Sequence, residues 1–182
     1  KTAGGSVAWS KQGGGPGTTL VERIAPSNEG GIFLTTVFAG TNRFLTNAWL
    51  APTNDVDSVL LKLDGQGAYE WGVQASDFAA GYNRTLGTIV ADQHGGCFVA
   101  GRKSLDDLAT NVLFNPTVYQ VFVARVSGGG AVQWCKDFTN GDAGLALELL
   151  GKPDGGVILA GRAVPGDGNV ANMAIDLAGQ QA

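Results

Sequence analysis

Charge is scarce in this chain. Only 15% of its 182 residues are Asp, Glu, Lys or Arg, against the usual quarter, and the net charge is −4. The twelve basic residues are scattered rather than gathered on one face, which excludes a nucleic-acid binder of the ordinary electrostatic kind. There is a single histidine, His94, so no site built from two imidazoles can form. A Ser-His-Asp or Cys-His arrangement could only involve His94 in its turn "DQHGG", where nothing orients it. No apolar run approaches the roughly 20 residues needed to span a bilayer, so no membrane insertion is expected. The chain begins with Lys1 and shows no signal-peptide pattern, which reads as a processed form or an excised fragment. Disorder is excluded from the other side, because 44% of the residues are hydrophobic.

Glycine is abundant, at 29 residues, and it marks internal repeats. A Gly-Gly pair followed by an apolar strand occurs three times, as "EGGIFLTT" from Glu29, "HGGCFVAG" from His94 and "DGGVILAG" from Asp154. A second anchor follows each, as "DSVLLKLDGQG" from Asp57, "QVFVARVSGGG" from Gln120 and "ANMAIDLAGQQ" from Ala171. The third anchor is a strand with tryptophan, carried by Trp9, Trp71 and Trp134, which lie 62 and then 63 positions apart. Each unit reads as four strands. Strand a covers 20–25, 86–91 and 145–150; strand b covers 32–37, 97–101 and 157–161. Strand c covers 58–63, 121–126 and 172–177; strand d covers 7–10, 68–73 and 131–136. The a–b and c–d links are too short for crossover helices and carry the Gly that tight hairpins need. Strands such as "VFVARV" and "GVILAG" are apolar on both faces, as expected for sheets packed between other sheets. The fold class expected is therefore all-β, with three tandem four-stranded antiparallel propeller-blade-like repeats. The single domain 1–182 divides into 1–17 (strand d plus a Gly-rich linker), 18–78, 79–138 and 139–182, the last lacking its final strand.

The recurring "D-x-x-Gly-Gly-apolar-apolar-x-Ala-Gly", "apolar-x-Ala-Arg" and "Gly-x-apolar-x-Trp" elements resemble the bacterial β-propeller repeats of the SBBP type. Residues 152–162 with 172–179, and 92–102 with 121–134, carry the likeness best; the first unit departs from it at "TTVFAG". The resemblance covers nearly the whole chain. It implies a secreted or cell-surface repeat protein of scaffold or binding type, and it implies no catalytic residues.

The chain starts and stops at the same point of the repeat, with strand order d, abcd, abcd, abc. Val7, Ala8, Trp9 and Ser10 thus form a spare strand d, and Asn172, Met173, Ala174, Ile175, Asp176 and Leu177 form an edge that lacks one. The N-terminal strand is expected to complete the last repeat of the same chain or of a neighbour. Exchange between copies gives a closed ring or a filament, with Gly13–Gly17 as the flexible linker. A fragment of a longer array is the remaining reading of the ends. The function expected is an extracellular structural or interaction protein that self-assembles, with itself as partner, no cofactor and no metal. The alternative is a surface carbohydrate-binding module using the long b–c connections, 38–57 and 103–120, in which Phe44, Trp49, Phe114 and Tyr119 offer a contact surface for a subunit or a glycan; these connections are otherwise expected to fold back over the blade edge as a cover.

Other chemistry is thin. Acidic loop residues Asn54, Asp55 and Asp57, and Asp167 with Asn169, do not follow a calcium-loop pattern and read as solvated turns. Cys97 and Cys135 fall on strands b and d of one unit with strand c between them, about 9–10 Å apart. That exceeds the roughly 7 Å a disulfide spans, so two free thiols are expected. Asn83-Arg84-Thr85 is a sequon in a surface turn.

Overall fold

A computed structural model describes residues 5–44, 47–50, 56–78, 84–104, 119–138, 144–163 and 171–177. Its strands in chain order are β1 (Gly13–Gly14), β2 (Thr19–Pro26), β3 (Ile32–Ala39), β4 (Thr41–Phe44), β5 (Asn47–Leu50), β6 (Val56–Leu63) and β7 (Tyr69–Gln74). A 3₁₀ turn, Ala75–Phe78, comes next. It is followed by β8 (Arg84–Ala91), β9 (Cys97–Ser104), β10 (Tyr119–Val126), β11 (Val132–Phe138), β12 (Gly144–Gly151), β13 (Val157–Ala163) and β14 (Ala171–Leu177). The sheets have the orders β2-β3-β6-β7, β8-β9-β10-β11 and β12-β13-β14, all antiparallel, which are the three expected blades. Strands a, b and c agree with the sequence reading to within one to three residues at their ends.

The turns form where the sequence puts an acid or a Ser ahead of glycine. Asp64 Oδ1 accepts from the amides of Gln66 and Ala68, and Asp92 Oδ1 accepts from those of His94 and Gly96, each at 2.8 Å. The side chain closes the turn that the glycine's backbone angle opens. Strand a carries a bulge at one fixed place in every blade, between Val21 and Arg23, between Leu86 and Thr88, and between Ala146 and Glu148. Arg23, Thr88 and Glu148 are therefore equivalent positions, as are Ile24, Ile89 and Leu149.

The second blade buries both faces against its neighbours, which is why alternation is absent from its strands. Phe33, Leu60, Val73 and Phe78 of the first blade pack on Leu86, Ile89, Val99, Phe122 and Ala124 of the second. Phe98, Ala100, Val121 and Val123 of the second then pack on Leu149, Val157 and Leu159 of the third. At roughly 1.5–3 kcal/mol for each large side chain buried, these two junctions hold the blades together. A third cluster, Leu34, Phe38, Val59, Leu61 and Leu63, lies on the leading face of the first blade, where no further blade stands among the described residues. Phe44 and Trp9 cover it.

Within one chain the N-terminal residues are placed as follows. Residues 5–12 form no strand in this single chain, because a strand needs an edge to pair with and no strand c lies beside them among the described residues. The glycine run is not a free linker either. Gly13 and Gly14 are β1, paired with Phe44 and Arg43 of β4. At Gly15 and Gly17 a Cβ would run into the carbonyl oxygens of Thr41 and Ala39, so glycine there permits close backbone approach rather than motion.

Candidate assembly site

The tryptophans show how one blade engages the next. Trp71, on β7, donates from Nε1 to the carbonyl of Gly128 in the following blade's c–d turn, at 2.7 Å, and its ring lies over Gly130. The same ring sits 5.9 Å from Phe33 of its own blade, and Trp134 sits 5.9 Å from Phe98 in the equivalent place, tilted 45° and 46°. A cation from strand c completes each group: Lys62 Nζ lies over Phe33 and Arg125 over Phe98, both at 5.8 Å. Trp9 repeats the docking. Its Nε1 donates to the carbonyl of Gly65, the residue equivalent to Gly128, at 3.1 Å, and its ring lies over Gly67 as Trp71 lies over Gly130. Trp9 thus stands where the strand d tryptophan of a preceding blade would stand. Closure onto the chain's own third blade is not what the structure contains, since this segment lies on the first. Trp134 Nε1 is buried without a hydrogen-bond partner among the described residues, and Gly179, the equivalent turn residue, lies outside them.

Apart from Trp9, residues 5–12 are exposed; Val7 is 83% accessible. At the other end β14 pairs with β13 alone, and its second edge has no partner among the described residues. Ile175 and Leu177 point into the second junction, while Ala174 and Asp176 are exposed. The remaining expected contact residues divide. Phe44 is buried in the cover of the first blade and faces no open loop surface. Trp49 lies on β5 and Tyr119 on β10, but their side chains, like all of Phe114 and Asn83, lie outside what is described.

Ion pairs follow the repeat with one inversion. Lys62, nearly inaccessible, contacts Glu29 at 2.5 Å and Glu70 at 3.1 Å. Burial alone would lower its pKa, but the hydrogen bonds to Glu29 and Glu70 outweigh that and raise it. In the second blade Arg125 pairs with Asp92 of the a–b turn at 3.0 Å. In the third the signs are exchanged: Lys152 occupies the Asp92 position and Asp176 the Arg125 position, at 2.9 Å. His94 stays in its turn, its Nδ1 3.3 Å from Arg125. Asp57, expected in a solvated turn, is buried instead. It accepts from Gln74 Nε2 and from the amide of Ser58, and desolvation raises its pKa. Cys97 and Cys135 form no disulfide, and β10 lies between their strands. Among the described residues no group of three or more His, Cys, Asp or Glu could hold a metal ion.

No family model matches this chain, so the SBBP-type resemblance stands on the repeat residues alone. No curated protein matches it either. Among solved structures it is similar to the Hadza microbial sialidase Hz136, with a TM-score of 0.57 and 15% sequence identity. The fold is propeller-like. The match covers 87% of this chain but 35% of that one, so the chain spans about a third of the sialidase's length. No described helix is long and apolar enough to cross a membrane.

Proposed function

We propose that this chain is a non-enzymatic structural and interaction protein whose copies join by strand exchange, residues 5–12 of one copy serving as the fourth strand of another copy's third blade. The observation that carries the reading is Trp9. Its bond to Gly65 and its seat over Gly67 repeat Trp71 on Gly128 and Gly130, which supports reading the segment as the strand d of a preceding blade. The edge of β14 is a strand c with no strand d among the described residues. Pairing the two satisfies backbone groups on both, in the manner of β-strand addition. The resemblance to SBBP-type repeats supports an extracellular or cell-surface setting.

The experiment is the native mass of the 182-residue chain by light scattering, beside a variant lacking residues 1–12. Dimers or polymers that vanish on deletion, and that a peptide of residues 1–12 competes away from the intact chain, are expected. A monomer at every concentration overturns the reading, as does assembly indifferent to the deletion. A glycan-binding module is the second reading, favoured by the structural neighbour being, by its title, a sialidase. Saturable stabilisation by a sialylated glycan would support it, and turnover of a sialoside would overturn the non-enzymatic assignment.

A further inference from the structure

The blade junctions share one arrangement along the inner strands β2, β8 and β12. Ile89 is 7% exposed because the first blade covers it, and Leu149 is 4% exposed because the second covers it. Their equivalent Ile24 is 64% exposed, because Trp9 and Phe44 cover the outer strands of the first blade's leading face and leave β2 open. The trailing side shows the complement. Ala25 is buried against the second blade and Val90 packs against the third, whereas the equivalent Leu150 is 63% exposed. The leading side of β2 and the trailing side of β12 therefore present the two halves of one more junction.

The position just past the strand a bulge gives that junction a polarity. Its row reads Arg23, Thr88, Glu148. One neighbouring pair of the row meets: Thr88 Oγ1 lies 3.5 Å from Glu148 Oε1, across the second junction. The next place in the row after Glu148 is that of Arg23 on a following unit. Arg23 and Glu148 are both exposed, and neither has an ion-pair partner among the described residues.

Resting on the strand-exchange reading, we infer that a second copy docks its first blade against the third blade of this one along the inner strands, with Glu148 of one copy paired to Arg23 of the next and Leu150 set beside Ile24. The pair selects head-to-tail contact. Two leading ends would bring Arg23 to Arg23 and two trailing ends Glu148 to Glu148, and like charges facing each other are disfavoured.

The test is charge reversal. Arg23→Glu and Glu148→Arg lie on exposed positions and should leave the melting midpoint unchanged while weakening association at least about tenfold. Mixing the two single variants should restore assembly, since every junction in an alternating array then has one positive and one negative partner. The double variant should assemble by itself. Single variants that assemble like the unaltered chain overturn the pairing and leave strand exchange standing, provided that deletion of residues 1–12 still abolishes assembly. Variants that fold but stay apart when mixed also overturn it. A wild-type chain that is monomeric at every concentration overturns both inferences together.

Discussion

Gly30 and Gly130 have almost the same backbone angle, φ +87° and +86°, but different surroundings. Nothing lies within 4 Å of a Cβ placed on Gly30, whereas one on Gly130 would meet the Trp71 ring at 2.9 Å. Gly30→Ala should therefore cost only the left-handed strain, about 1–2 kcal/mol. Gly130→Ala should cost that and also displace Trp71 from its bond to Gly128. Denaturant midpoints would compare them, and the excess at Gly130 should disappear when Trp71 is replaced by Leu. Lys62 sets a pH dependence. Its folded pKa is raised above 10.5, so its contribution is present in full below that value and is lost as pH rises through the folded pKa. Tyr69, raised by burial, acts with the same sign. Stability measured between pH 9 and pH 12 should fall in the wild type and fall less in Lys62→Met. Neither the role of Lys62 nor the burial of Asp57 was legible in sequence, where both look like ordinary strand and turn residues.

Among elements, the hairpin β4–β5 was the least expected. The stretch 38–57 reads as a long connection because Gly40 interrupts its apolar pattern, yet β4 pairs with both β1 and β5. The hairpin is anchored by Phe44, 8% exposed in the cluster of Leu34, Phe38 and Val59. Phe44→Ala should lower stability by about 3–5 kcal/mol, the range for a buried Phe, and should expose the first blade's leading face to a hydrophobic dye. A small loss without dye binding would mean that Phe44 is no anchor. The 3₁₀ turn at Ala75–Phe78 was likewise not foreseen; its Phe78 packs 6.0 Å from Phe122 across the first junction. Strands a, b and c were readable because each is short, apolar and bounded by Gly-containing turns.

At the scale of the molecule, the described residues of the three blades leave an open edge on β14 and an open inner strand on β2. Amides of β14 that point away from β13 should exchange within the fast regime in dilute monomer, while those of β10, paired on both sides, should be protected. Under assembling conditions the β14 amides should gain protection. If they remain fast in an assembled sample, the contact between copies lies elsewhere.

The three-fold repeat, the strand order within each blade and the identity of the turns were determined by sequence alone, because period, glycine placement and two-sided apolarity are local properties. The place of residues 5–12 was not. Val7–Ala8–Trp9 has the composition of a strand, but strand formation depends on an adjacent edge, and none lies beside it among the described residues. Only the tertiary structure put Trp9 on Gly65 and Gly67, and only it brought Thr88 to Glu148 across a junction. Contacts between blades join residues about 60 positions apart, and their partners follow from how the sheets stack rather than from any neighbour in the chain.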